Sequence, residues 1–221
     1  GLGKLKTQGQ AKFVSVNPVR TGYSAIADEW VGIRPGTDGL FVMALIHELL
    51  RNGKVDLEYL ARYTNAHWLV RKAPGTAENG LFVRDANGNP IAYDRNTDQL
   101  VDATQTDIAP AMRGSFPLHQ ATPGDGGAGG EAVPAFQLVL DRYLDGRYSP
   151  DAVAGETGID ADNIRRIAAE LAHAAFEQEI SLDVAWTDWA GNKHDKIVGR
   201  PVSMHAMRGI SAHSNGFQTC R

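Results

Sequence analysis

The chain has 221 residues, 43% hydrophobic and 22% charged, with a formal net charge of −4. That is enough apolar material for one large or two small packed domains, and it excludes wholesale disorder. The slight acidic balance argues against a nucleic-acid-binding surface, the single cysteine, Cys220, excludes a disulfide framework, and no run reaches the roughly 20 apolar residues of a membrane helix.

Residues 11–16 (AKFVSV) form a short β-branched run that predicts a strand, closed by Asn17-Pro18. Residues 30–33 (WVGI) predict a second one. Thr37 or Asp38 offers an N-cap for the helical stretch GLFVMALIHELLRN, and Gly53 offers its stop. Apolar positions 42, 45, 46, 49 and 50 give that helix its expected buried face. Asp56 caps a second helix, DLEYLARYT. Residues 71–134, with NGNP and PGDGGAGG, predict loops around a hairpin in LFVRDANGNPIAYD. AFQLVLDRYL is helical. A helix pair follows, SPDAVAGETGI and DADNIRRIAAELAHAAF, with Pro150 in a first turn and Asp160 as cap. ISLDVAW and RPVSMHAM predict two further strands, and GISAHSNGFQT a glycine-punctuated turn or helix. No internal repeat is evident. The succession predicts an α/β fold, Rossmann-like, with a mainly parallel sheet flanked by helices. The ends, GLGKLKTQGQ and FQTCR, lack start and stop signals and suggest a piece of a longer protein.

Two polar stretches stand out. Asn17, Arg20 and Thr21 follow the end of a strand, where open α/β sheets bind ligands. Arg20 offers a planar fork of donors to a phosphate, and Thr21 a hydroxyl. RPGTD then meets a helix N-terminus, which favours anions. Asp38 is itself negative, so it suits the N1–H and N2–H₂ edge of guanine better than a phosphate; alternatively it only caps its helix. HELL at His47 lacks the second histidine of a zinc protease and is expected in a core helix. GDGGAGG lacks the Gly-Lys-Ser/Thr ending of a phosphate loop. The helix pair has a helix-turn-helix rhythm, but Arg165 and Arg166 lie among Asp160, Asp162 and Glu170, too acidic for DNA. Near the end, His205 and His213 could ligate a metal only with a third partner. Arg208, beside Gly209, is better suited to grip an oxyanion.

The segment VSVNPVRTGYSAIADEWVGIRPGTDGLFVMALIHELL resembles the molybdopterin oxidoreductases of the dimethyl-sulfoxide-reductase family. These carry a strand ending in D/N-P-x-R-T, then A-D-x-W, then I-R-P-G-T-D and a helix. YLARYTNAHWLV, the DANGNPIAYD hairpin and YSPDAVAGETGIDADNIRRIAAELA follow in the family's order, so the likeness covers most of the chain except 100–130. The resemblance implies one α/β domain over 1–221, a fragment of a larger enzyme, with 71–134 as a loop-rich insertion. It implies a molybdenum or tungsten ion held by two molybdopterin guanine dinucleotides. Asn17, Pro18, Val19, Arg20 and Thr21 would lie along the ribose and diphosphate of one of them, and Gly36, Thr37 and Asp38 would meet its guanine. Asn17 departs from the more frequent aspartate, which replaces a charged ribose contact with a neutral one.

The ending GRPVSMHAMRGISAHSNGFQTCR is most similar to large subunits of the tetrathionate reductase and sulfite dehydrogenase type. That implies a sulfur or arsenic oxyanion as substrate, faced by Arg208, His213 and Asn215. No residue here is assigned as a metal ligand. A [4Fe–4S] cluster is expected in the full-length enzyme, outside this segment. The implied partners, at the bacterial inner membrane, are an iron–sulfur electron-transfer subunit plus a membrane anchor subunit. The chain alone is expected to be inactive. A stand-alone nucleotide-binding or interaction module is the alternative, with a DNA-binding regulator more remote.

Overall fold

In the computed structural model, residues 11–118 and 130–206 are described, with 214 and 216 beyond them. Their contacts divide the chain into two units, Gly1–Lys54 with Tyr143–Arg221, and Val55–Arg142. The first unit begins with β1 (Val14–Val16) and β2 (Glu29–Val31), paired in parallel with Val14 opposite Glu29 and Val16 opposite Val31. Helix α1 (Asp38–Arg51) follows, closed by Asn52 and Gly53. Its buried positions are Gly39, Phe41, Ala44, Leu45, His47 and Glu48; of the expected stripe Leu45 is buried, while 42, 46, 49 and 50 are half-buried. FVMALI is apolar almost all round the helix, so spacing alone does not select the inner face. His47 is a core residue, and its Nδ1–H donates to the carbonyl of Tyr143 at 2.7 Å.

The helix pair completes this core. In α4 (Pro150–Thr157), Ser149 caps the first turn through Ala152 N–H and Pro150 occupies it. In α5 (Ala161–Phe176), Asp160 accepts from Asp162 N–H. Val153, Ile159, Ile164, Ile167 and Ala168 pack with Val31, Ile33, Phe41, Ala44 and Leu45. Each fully buried aliphatic side chain contributes about 1.5–3 kcal/mol relative to exposure. An ion-pair cluster ties α5 to the strands: Arg166 bonds both oxygens of Glu29 and also Glu170, which Lys12 holds at 2.7 Å. Burial opposes ionisation of Glu170, but the bonds from Lys12 and Arg166 outweigh it, so its pKa lies below the usual carboxylate range.

The second unit starts with α2 (Leu57–Tyr63), capped by Asp56 through Tyr59 N–H, and β3 (Leu69–Lys72). Within 71–134, read from the sequence as loops around a hairpin, lie β4 (Ile91–Asp94), β5 (Gln99–Asp102), β6 (Phe116–Leu118) and β7 (Gly130–Pro134). The order β3-β7-β6 is antiparallel, as is the β4–β5 hairpin. Leu69, Val83, Ile91, Leu118 and Ala132 form a separate small core. Helix α3 (Ala135–Tyr143) follows β7 directly.

The end of the first unit departs most from expectation. ISLDVAW breaks into β8 (Ile180–Leu182) and β9 (Trp186–Thr187), followed by β10 (Lys193–His194) and β11 (Ile197–Gly199). β8 pairs with β11 and β9 with β10, both antiparallel, and the described part of RPVSMHAM forms no strand. The fold is mixed α/β with five α-helices among the described residues, none long and apolar enough to cross a membrane. The expected mainly parallel, Rossmann-like sheet is corrected: among the described residues only β1–β2 is parallel. The tail strands are exposed along β8 and β9, so no helix-covered parallel sheet buries them.

One short element recurs. Asp85-Ala-Asn-Gly-Asn89 and Asp188-Trp-Ala-Gly-Asn192 share the pattern D-x-x-G-N and one hydrogen-bond scheme. Each aspartate Oδ1 accepts from the backbone N–H two and four residues on, and Oδ2 accepts from the side-chain amide of the closing asparagine. Gly88 and Gly191 both take φ of 87°, which only glycine adopts readily.

Candidate functional site

β1 and β2 are parallel, so their C-terminal ends face the same way, and both polar stretches leave from that end. Asn17 prolongs the ladder, its N–H donating to Val31 O at 3.1 Å. The chain then turns away. Asn17 Oδ1 accepts from Val19 N–H at 3.2 Å, and Thr21 N–H donates to Val19 O at 2.9 Å. Pro18, Val19, Arg20 and Thr21 are exposed. A 3₁₀ turn, Gly22–Ala25, carries the chain back, anchored by the buried Ser24 hydroxyl on that of Ser15 at 2.9 Å.

The ADEW stretch braces this loop. Asp28 Oδ2 accepts from Phe13 N–H at 2.8 Å, at the entry to β1. Glu29 takes Arg166. Trp30 donates its indole N–H to Asn17 O at 3.0 Å, and its ring lies so close over Gly32 that an added Cβ would stand 3.0 Å from it.

The second stretch begins at Arg34, three residues beyond β2. Gly36 has φ of 83°, and nothing lies within 4 Å of where its Cβ would be. Thr37 is the N-cap position of α1, but it makes no side-chain cap bond; its hydroxyl donates to Arg34 O at 2.8 Å. Asp38 is therefore the first helical residue and not the cap, a partly buried carboxylate in a first turn whose dipole favours negative charge. Asn17–Thr21 and Gly36–Asp38 thus both follow the C-terminal ends of one parallel strand pair.

Arg208, His213 and Asn215 lie outside the described residues, while His205 is exposed. Among the described residues no group of three or more His, Cys, Asp or Glu could hold a metal ion. The tail has a cluster of its own: Trp186 stacks on His194 at 4.5 Å, and His194 Nε2–H donates to Asp188 at 3.1 Å. The Asn192 side chain and His194 hold Asp188 down to a pKa of about 2.

No family model matches the chain. A sulfite dehydrogenase subunit of Allochromatium vinosum is 42% identical over 229 residues, covering 100% of this chain and 22% of that protein. The perchlorate reductase alpha subunit of Dechloromonas aromatica is 24% identical over 195 residues, 74% of this chain and 20% of the relative. The major subunit of the nitrate-inducible formate dehydrogenase of Escherichia coli is 38% identical over 79 residues, 36% of this chain and 8% of the relative. The chain belongs to the dimethyl-sulfoxide-reductase family of molybdopterin oxidoreductases. It spans about a fifth of the length of its full-chain relative.

Within that family frame, the residues missed from sequence are those that shape the loops. Trp30 and Glu29 sat in the ADEW motif without a role. Arg34 stands beside Gly36–Asp38, yet its partners in α4 are more than 100 residues away. Only the ADEW spacing could have pointed to a brace.

Proposed function

We propose that this chain is the part of a molybdenum- or tungsten-dependent oxidoreductase that holds one molybdopterin guanine dinucleotide, and that the whole enzyme acts on a small oxyanion of sulfur or arsenic. The 42% identity to the sulfite dehydrogenase of Allochromatium vinosum over the full chain carries this reading. The residues present fit the group. An exposed guanidinium and hydroxyl, Arg20 and Thr21, stand at the end of a parallel strand pair, where phosphates are favoured. Gly36 leaves open the space a side chain would fill, and Asp38 can accept two hydrogen bonds from the guanine edge. Asn17 and its neighbours would follow the ribose and diphosphate. The bound metal supplies the redox chemistry; the protein sets position and electrostatics. Arg208, His213 and Asn215 are proposed to hold the oxyanion.

The whole enzyme is proposed to pass electrons to an iron–sulfur subunit, to dock on a membrane anchor subunit, and to carry its own [4Fe–4S] cluster outside this chain. The chain alone is expected to hold no stoichiometric molybdenum, tungsten or iron by elemental analysis.

Titrating GDP and ADP into the 221-residue chain tests the guanine assignment. GDP should shift the amide resonances of residues 36–39 at lower concentration than ADP does. Asp38→Asn should abolish that preference, because an amide cannot accept both guanine donors, while amide exchange of α1 shows a loss of no more than about 1 kcal/mol from the helix dipole. Equal response to GDP and ADP in the wild-type chain would sink the reading.

A further inference from the structure

The helix pair has no role in the function proposed above, although α4 ends against the RPGTD stretch. Arg34 is fastened there by three contacts. Its N–H donates to Thr157 O at 2.9 Å, and its Nη1 donates to Gly155 O at 2.7 Å. Its stem lies along Gly158, where an added Cβ would stand 3.4 Å from Cγ and 3.6 Å from Nε. Gly155 and Thr157 belong to the last turn of α4, whose carbonyls lack partners within the helix and carry partial negative charge. A guanidinium is well suited to that end.

The anchor itself is rigid. Thr157 is fully buried, its hydroxyl donating to Val153 O at 3.0 Å and accepting from Ile159 N–H at 3.3 Å. Val153 and Ile159 are core residues. At the other end of the same residue, Arg34 O accepts from both the hydroxyl of Thr37, at 2.8 Å, and its N–H, at 3.3 Å. Fixing Arg34 therefore fixes the span from Pro35 to Asp38. Arg34 and Arg20 are both exposed; Arg20 lies on the other loop.

We propose that Arg34 is a positioning residue: by binding Gly155 O in the last turn of α4 through its guanidinium, beside its backbone bond to Thr157 O, it holds Gly36–Asp38 in the shape that a guanine requires. The inference rests on the guanine reading above. It makes the α4–α5 turn a remote determinant of nucleotide affinity, because Gly158 supplies both the left-handed turn, with φ of 74°, and the surface on which Arg34 lies.

GDP binding to the 221-residue chain tests this, read by amide resonances in wild type, Arg34→Ala, Arg34→Lys, Gly158→Ala and Arg165→Ala. Arg165 pairs with Asp151 and Asp162 on the surface of the same helices, so it controls for general loosening. Arg34→Ala should weaken GDP about tenfold, the lower end of the cost seen when orienting partners of metal ligands are removed. Arg34→Lys should recover part of the loss, since an ammonium can still donate to Gly155 O. Gly158→Ala should weaken GDP in the same direction, and Arg165→Ala should leave it unchanged. If Arg34→Ala does not fold by circular dichroism, Arg34→Lys and Gly158→Ala decide: wild-type affinity in both overturns the proposal. Wild-type affinity in a folded Arg34→Ala, or equal weakening by Arg165→Ala, also overturns it and leaves the guanine reading intact. A wild-type chain that does not prefer GDP to ADP overturns both.

Discussion

Two glycines three residues apart in the helix pair should respond to alanine with opposite signs. Gly158 closes α4 with φ of 74°, a conformation that costs a non-glycine residue about 1–2 kcal/mol. The added methyl would meet Arg34 at 3.4 Å, an ordinary contact that changes this little. Gly155 lies inside the same helix, exposed, with nothing within 4 Å of its missing Cβ. Alanine there should stabilise by about 0.5–1 kcal/mol, because glycine loses more backbone freedom on folding. The two variants should therefore differ by about 1.5–3 kcal/mol, summing those two terms. Gly158→Asn should fall between, since asparagine tolerates the left-handed region. Because two units unfold in one chain, a global melt is the wrong probe. Amide hydrogen exchange of α1, which packs on α4, reads the first unit alone. A destabilised Gly155→Ala, or an unaffected Gly158→Ala, would refute the argument from backbone conformation.

Other outcomes follow from single sites. Ile164, at 0% exposure in the core of the first unit, should cost about 2–5 kcal/mol on truncation to alanine, while Trp189→Ala, at 99% exposure, should stay within about 0.5 kcal/mol; urea unfolding read by α1 exchange compares them. Asp188 has its pKa lowered from 3.8 to about 2, so its stabilisation of the β9–β10 hairpin is complete above the unfolded value and is lost as pH falls through the folded one. The ring resonances of Trp186 and His194 should report loss of their stack across that window, and Asp188→Asn should remove the dependence. In the longer enzyme, Arg208→Lys should raise KM or lower kcat without reducing molybdenum content, because lysine keeps the charge but loses the bidentate fork. Parallel loss of metal and activity would show a structural role instead.

Helix ends were legible because their signals are local. Asp56, Asp160 and Pro150 act where the sequence places them, each through bonds spanning a few residues. The inner face of α1 was not legible, since half-buried residues such as Val42, Met43 and Ile46 surround it; only tertiary packing chooses among them. Strand direction was equally hidden: Pro117 and Pro134 interrupt the pattern of β6 and β7, and exposed β8 has no alternation to read. The two polar loops could be found from motif spacing. What holds them could not, because Arg34 reaches Gly155 and Arg166 reaches Glu29 across more than 100 residues.

The doubled D-x-x-G-N loop has an implication of its own. Both copies close on bonds among their own five residues, so the shape is written locally and places no demand on the second position. One copy carries Ala86 there and the other Trp189, both exposed. The loop behaves as a cassette with an interchangeable tip. Exchanging Ala86 and Trp189 should therefore leave the hydrogen-bond scheme of both loops unchanged.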